Sequence, residues 1–293
     1  ALLFSWGVLS AITALPAGLM AVAQTHRTRA VAFVTIAHLG LIFLAIAAGT
    51  ETGLLTAEFH VAVHAAAMAI VCLAGSASRP MTLAGAAAVS GVPLLSGYWS
   101  LTLLLSAIHN MAGDQTADAG WWQAFFVMAA ATILLTAGRL SHLAFDRRPS
   151  SAAEQPDPDT APLGLRIVPL ALLTVMALGL GAAVGPWTGW LPQLLHIDFV
   201  AVPFDSVPAI TCVAAALGGV VVAFAVSAVA DNIPTSVAAL TALPRREFFL
   251  NEYFFLGLAL PLRAASLLCR FVDWFLIDRI LVGLFSGLPA KFT

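Results

Sequence analysis

Seven stretches of this sequence are each about 20 residues or longer and nearly free of charge, and no other feature constrains the fold as strongly. A hydrocarbon core about 30 Å thick offers no water to backbone N–H and C=O groups. Only a helix that satisfies them internally, or a closed barrel, can cross it. The stretches run from Leu2 to Gln24, Ala30 to Gly49, Leu54 to Ser76, Met81 to Ile108, Trp121 to Leu140, Ile167 to Leu191 and Val207 to Ala230. The first is too long for a signal-peptide h-region and has no basic segment before it, so it reads as a span. The chain starts at Ala1 without a methionine, which leads us to expect a missing upstream piece.

Composition agrees. Of 293 residues, 60% are hydrophobic and 10% charged, against roughly 25% charged in an average soluble domain, so a water-soluble enzyme is excluded. The net charge of -2 provides no basic excess to neutralise a nucleic acid backbone. Cys72, Cys212 and Cys269 lie far apart in apolar sequence, as small buried hydrophobes do, and form neither a disulfide framework nor a zinc motif.

The connections between spans alternate in charge. Arg27 and Arg29, Arg79, Arg147 with Arg148 and Arg166, and Arg245 with Arg246 occupy the odd-numbered connections. The even-numbered ones carry only Glu51, then Asp114 and Asp118, then Asp198 and Asp205. The positive-inside rule therefore predicts an outside N-terminus and an inside C-terminal tail, in what we expect to be a bacterial cytoplasmic membrane. The connection over residues 146–162 contains Pro149, Pro156, Pro158 and Pro162 among small and polar residues, so a mobile loop is expected there.

Beyond Ala230 the pattern changes. Arg263, Ser266, Arg270 and Asp273 recur at spacings of three and four, which places one polar stripe on an otherwise apolar helix. A charge at the centre of a span costs roughly 2.5–3.5 kcal/mol, and Arg270, Asp273, Asp278 and Arg279 would all have to be inserted. We therefore expect residues 246–290 to form an amphipathic lateral helix on the membrane surface, beside a transmembrane bundle of residues 1–230. A short tail that only caps the bundle is the plainer reading.

Ionisable residues inside a membrane are functional candidates by default. The third span carries Glu58, His60 and His64, with the histidines four apart on one helical face, and His38 lies mid-way along the second span. Imidazole takes up and releases protons near neutral pH, which suits a proton path through these four residues. The alternative is that the histidines hydrogen-bond across helices and only stabilise the bundle. No third ligand cluster accompanies the i, i+4 pair, so no metal site is expected. The fourth run is interrupted at Gly91, Pro93 and Gly97. A proline without an N–H beside glycines predicts a broken helix at membrane depth, although a packing kink would leave the same signature. Unwound backbone at that depth must be buried in protein or line a wet cavity.

Three segments in order now resemble one family. Residues 24–40 (QTHRTRAVAFVTIAHLG), 60–76 (HVAVHAAAMAIVCLAGS) and 91–105 (GVPLLSGYWSLTLLL) resemble consecutive motifs of the antiporter-like subunits of respiratory complex I and of Mrp cation/proton antiporters. In the tail, Asn251-Glu252-Tyr253, Pro261-Leu262-Arg263, Arg270 to Asp273 and Ile277-Asp278 resemble the start of the lateral helix of the subunit L type. The resemblance covers the second half of such a subunit. It implies either a partner polypeptide supplying the first half or a reduced subunit, with other membrane subunits as neighbours and a non-redox role in a proton-translocating NADH-quinone oxidoreductase-like complex. No cofactor is expected on this chain, because no nucleotide, flavin or quinone motif is present.

Within the motifs the family's lysines are replaced. Thr28, Met68 and Leu101 stand at those positions, His26 stands where the family has an Asp, and Lys291 in the tail is the one lysine of the sequence. A desolvated ammonium can exchange its proton with a neighbouring water chain; Thr, Met and Leu cannot titrate. The expectation is thus an all-α polytopic membrane protein of about seven spans, one of them broken, plus a lateral helix. We expect it to be mainly structural, with proton conduction weakened or lost. An active relay through His60 and His64 is the alternative, and the membrane half of an inorganic-carbon uptake system with a CO2-hydrating partner is another.

Overall fold

In the computed structural model the described residues are 2–74, 79–113, 118–145, 170–177, 179, 205–229 and 242–275, and among them every regular element is helical. They fall into two units, residues 1–241 and 242–293. The first contains α1 (Leu2–Ala23), α2 (Arg27–Ala47), α3 (Glu51–Ala74), α4 (Arg79–Val89), α5 (Ser96–Gly113), α6 (Ala119–Phe145) and α7 (Ser206–Val229). Five of these, α1, α2, α3, α6 and α7, are long and apolar enough to cross a membrane. The protein is an all-α polytopic membrane protein.

The fourth apolar run is two helices. α4 ends at Val89 and α5 begins at Ser96. Between them Gly91 takes a φ of 81°, a left-handed value that suits a residue without Cβ. Pro93 is exposed in the same turn. Gly97, in the first turn of α5, lies so close to the Ala88 carbonyl that a Cβ would collide with it. The expected break is therefore real, and the small residues that predicted it are what let the two halves approach. Of the expected sixth span, residues 170–177 are helical and most of the remainder lies outside the described residues, as does the loop at 146–162.

Helices approach closely because small residues face one another, the usual device where lipid removes the hydrophobic drive between helices. α1 packs on α2, α2 on α3, and α6 on α1 and α7. Ala11, Ala14, Ala17 and Ala21 of α1 are buried, and a Cβ on Gly40 of α2 would come within 2.8 Å of the Ala14 backbone. α6 and α7 meet through Gly138 and Gly219, where a Cβ on Gly138 would stand 2.6 Å from the Gly219 carbonyl oxygen. At the helix ends, the Arg139 guanidinium donates to the Gln24 carbonyl at 2.6 Å, and Arg27 donates to the Leu143 carbonyl at 3.1 Å. Both cations satisfy carbonyls at or just past a helix C-terminus, where the dipole favours positive charge.

Two apolar clusters fill the bundle. One gathers Leu41, Leu44, Leu101, Leu104, Ile108 and Ile133; the other gathers Val34, Met68, Ile70, Val71, Val89 and Leu140. Along α2, His38 falls between Val34 and Leu41, and along α6, Thr136 falls between Ile133 and Leu140. A polar layer thus separates the two clusters.

The second unit is described from residue 242. A 3-10 turn (Glu247–Phe249) precedes a short helix (Leu250–Phe254), a π-helical turn (Phe255–Ala259) and α8 (Leu260–Val272). Arg263 and Arg270 lie on α8, and Asp273 is its C-cap residue. The Arg263 guanidinium lies 5.8 Å from the Phe255 ring centroid. The run 247–275 is also long and apolar enough to cross a membrane.

Candidate functional site: a buried histidine cluster

α2 and α3 turn His38, His60 and His64 toward one another in the polar layer. His38 and His60 are fully buried and His64 is 5% exposed. The rings stack: His38 lies 5.3 Å from His60 with planes 17° apart, and 4.8 Å from His64 with planes 23° apart. His38 Nδ1 and His60 Nε2 share a hydrogen bond of 3.0 Å. The opposite nitrogens reach hydroxyls on two further helices, His38 Nε2 to Thr136 Oγ1 on α6 at 3.2 Å and His60 Nδ1 to Ser100 Oγ on α5 at 2.9 Å. Each hydroxyl also donates to a backbone carbonyl, Ser100 to Gly97 at 3.2 Å and Thr136 to Thr132 at 2.9 Å. His64 differs, since neither ring nitrogen has a hydrogen-bond partner among the described residues.

The result is one chain, Thr136 to His38 to His60 to Ser100, joining α6, α2, α3 and α5. Two directions of hydrogen bonding satisfy it. In one, Thr136 donates to His38, His38 to His60, His60 to Ser100, and Ser100 to the Gly97 carbonyl. In the other every donor reverses, and Thr136 donates to the Thr132 carbonyl. A proton delivered to His38 Nε2 converts the first arrangement toward the second: His38 passes its Nδ1 proton to His60 Nε2, His60 passes its Nδ1 proton to Ser100, and Ser100 must release its own hydroxyl proton to water beyond the chain, because the Gly97 carbonyl accepts only a hydrogen bond. Both rings finish neutral in the opposite tautomer, so one transit switches the chain without turning a ring. That is the chemistry imidazole provides.

The broken helix shapes one end of the chain. Because α5 restarts at Ser96, Ser100 falls in its first turns, facing α3. Ser96 donates to the Ala177 carbonyl, tying the break to the residue 170–177 helix. Thr136 and Ser100 were not anticipated as site residues. The available signal was a Thr132–Thr136 pair at helical spacing on α6 and a serine four residues after Ser96.

Other candidates lie elsewhere. Glu58 is exposed on α3 and is not brought to the cluster. Thr28 is exposed at the start of α2. Met68 and Leu101, at two of the substituted lysine positions, are buried in the two apolar clusters. The absence of a third ligand, the basis for expecting no metal, is corrected by the fold: His38, distant in sequence from the His60/His64 pair, has a ring nitrogen within 4.8 Å of theirs.

Residues 2–86 match the family model described as NADH:quinone oxidoreductase/Mrp antiporter, TM. This part of the chain is similar to the antiporter-like membrane domain of that family. The matched segment contains α1 to α3 and most of α4, and with them all three clustered histidines. A comparison with curated proteins finds no match.

Proposed function

We propose that this chain is an antiporter-like subunit of a complex I-related assembly, and that it passes protons through the His38–His60 chain. The carrying observation is the continuous hydrogen-bonded line from Thr136 to Ser100, buried between four helices. An interhelical bridge made only for packing needs one hydrogen bond. This one has two satisfied directions and ends beside a broken helix, which favours conduction over a purely structural role.

The scaffold reading keeps one observation in its favour. Met68 and Leu101 are enclosed by apolar side chains, so the family's lysine positions have become inert. Conduction here therefore depends on the imidazoles and the hydroxyls that end their chain, with no lysine. The partners we infer are other membrane subunits, one of them supplying the first half of a subunit of the L type. The charge alternation supports an outside N-terminus, with the segment from residue 246 lying along the cytoplasmic face of a bacterial inner membrane. An inorganic-carbon uptake assembly would use the same membrane chemistry with a zinc-binding, CO2-hydrating partner in place of iron–sulfur and flavin subunits. Identification of the co-purifying chains separates the two settings.

The test is proton flux in sealed vesicles containing the assembled complex, with His60 and His64 both replaced by alanine. Flux should fall at least tenfold while assembly persists. Unaltered flux in the assembled variant assigns the chain a scaffold role.

A further inference from the structure

We propose that the three histidines form a binding site for a divalent d-block cation such as Zn2+, and that a bound cation closes the proton chain. This rests on reading the His38–His60 pair as that chain.

Three observations carry the site. The first is convergence: one ring nitrogen each of His38, His60 and His64 lies within 4.8 Å of the others. The His38 Nδ1 to His60 Nε2 distance is 3.0 Å. Two nitrogens on one tetrahedral zinc, with bonds of 2.0–2.1 Å, stand about 3.3 Å apart, so that pair already has nearly the required separation. The second is the support on the far side of each ring. Metal-bound imidazoles usually donate their other N–H to a fixed acceptor, which sets the tautomer and orients the lone pair. His38 Nε2 and His60 Nδ1 are held in this way by the Thr136 and Ser100 hydroxyls, each of which has a backbone carbonyl to take its own proton. The third is His64. It is 95% buried with both nitrogens unpartnered among the described residues, and an unsatisfied buried imidazole beside two others calls for a ligand.

The proton count closes. The cation takes the place of the single proton shared by His38 Nδ1 and His60 Nε2. That proton moves to His38 Nε2, which then donates to Thr136, while Thr136 donates to the Thr132 carbonyl. All three rings stay neutral, each with one N–H. The stacked planes require His64 to turn about its Cβ–Cγ bond to aim a lone pair at the ion, a rotation that breaks no hydrogen bond among the described residues. A water completes the tetrahedron, and its ionisation near pH 7 offsets one of the ion's charges in a site without a carboxylate ligand. With the ion in place His38 can no longer hand a proton to His60, so a filled site is a blocked path.

Co2+ replaces Zn2+ as a visible probe on the full chain in detergent, with no flux measurement required. One equivalent should produce the intense d–d absorption of a tetrahedral site, and Zn2+ should bleach it. His64→Ala and His60→Gln should each weaken binding at least tenfold, whereas replacing the peripheral His26 and His142 together should leave it in place. X-ray absorption of the wild-type zinc form should show three imidazoles and does not depend on any variant folding. Absence of a tetrahedral cobalt spectrum, equal binding by His64→Ala, or a zinc shell without three imidazoles would overturn the proposal. Cobalt binding without flux in the zinc-free protein would leave the metal site standing and remove the relay.

Discussion

The imidazoles of His38 and His60 lie nearly parallel and share a 3.0 Å hydrogen bond, although they belong to different helices and stand 22 residues apart. Two neutral imidazoles joined from Nδ1 of one to Nε2 of the other must carry the same tautomer, both Nδ1–H or both Nε2–H, so that one donates where the other accepts. The hydroxyls of Thr136 and Ser100 set which nitrogen of each ring is free to do so. The cluster therefore acts as a unit: changing one member changes what every other member can donate.

Removing a terminal hydroxyl tests that coupling. Ser100→Ala leaves His60 Nδ1 buried without a partner, and Thr136→Val does the same to His38 Nε2; an unsatisfied buried group costs about 1–3 kcal/mol. Each variant should unfold at a lower temperature in detergent and lose most of its proton flux. The double variant should lose less stability than the sum, because both hydroxyls serve one chain. Strict additivity would show that the hydroxyls act separately.

Packing at the α6–α7 seam sets a second expectation. A Cβ on Gly219 would overlap the Leu134 carbonyl, so Gly219→Ala must push α7 outward. Overpacking of this kind costs about 1–3 kcal/mol. Gly218→Ala should be nearly silent, since its nearest neighbour would be a Leu134 methyl at 3.8 Å. Thermal unfolding of the two variants side by side is the measurement, and equal midpoints would show that the seam is looser than described.

Arg139 ties α6 to the end of α1 through its 2.6 Å bond to the Gln24 carbonyl. Arg139→Ala should destabilise by about 1.5–3 kcal/mol, the range for hydrogen bonds to charged groups. Arg139→Lys should recover only part of it, because an ammonium lacks the planar fork of donors. Proteolysis of the α1–α2 turn in vesicles reads the loosened end directly. Cleavage no faster than in the wild type would remove Arg139 from this role.

Residues 246–293 form most of a unit separate from the bundle. Deleting them should reduce the yield of assembled complex severalfold and leave turnover per assembled complex close to normal. Native gels with quantified flux decide it; full assembly after the deletion would show that this segment holds nothing together.

Spacing along single helices was enough to anticipate several features. Apolar runs predicted α1, α2, α3, α6 and α7, and Gly91, Pro93 and Gly97 predicted the interruption between α4 and α5, because a proline and a positive φ act through the local backbone. The His60/His64 pair was visible because four residues make one helical turn. His38 was a candidate, but nothing in the spacing of α2 indicated that it would stack on α3. Glu58 illustrates the converse. Two residues from His60, it points to another side of the same helix and is exposed, so nearness in sequence misled where helical phase decided.

What the sequence alone determined is what the bilayer dictates: helices, their approximate ends, the broken run and the residue types available for proton chemistry. Each follows from satisfying a backbone within its own segment. Only the tertiary structure decided that two imidazoles and two hydroxyls from four helices form one chain, with a third imidazole stacked beside it. Hydrogen bonds between helices depend on rotation and approach distance, and those were fixed by alanine and glycine contacts such as Gly40 against Ala14 and Gly97 against Ala88, far along the chain from the groups they align.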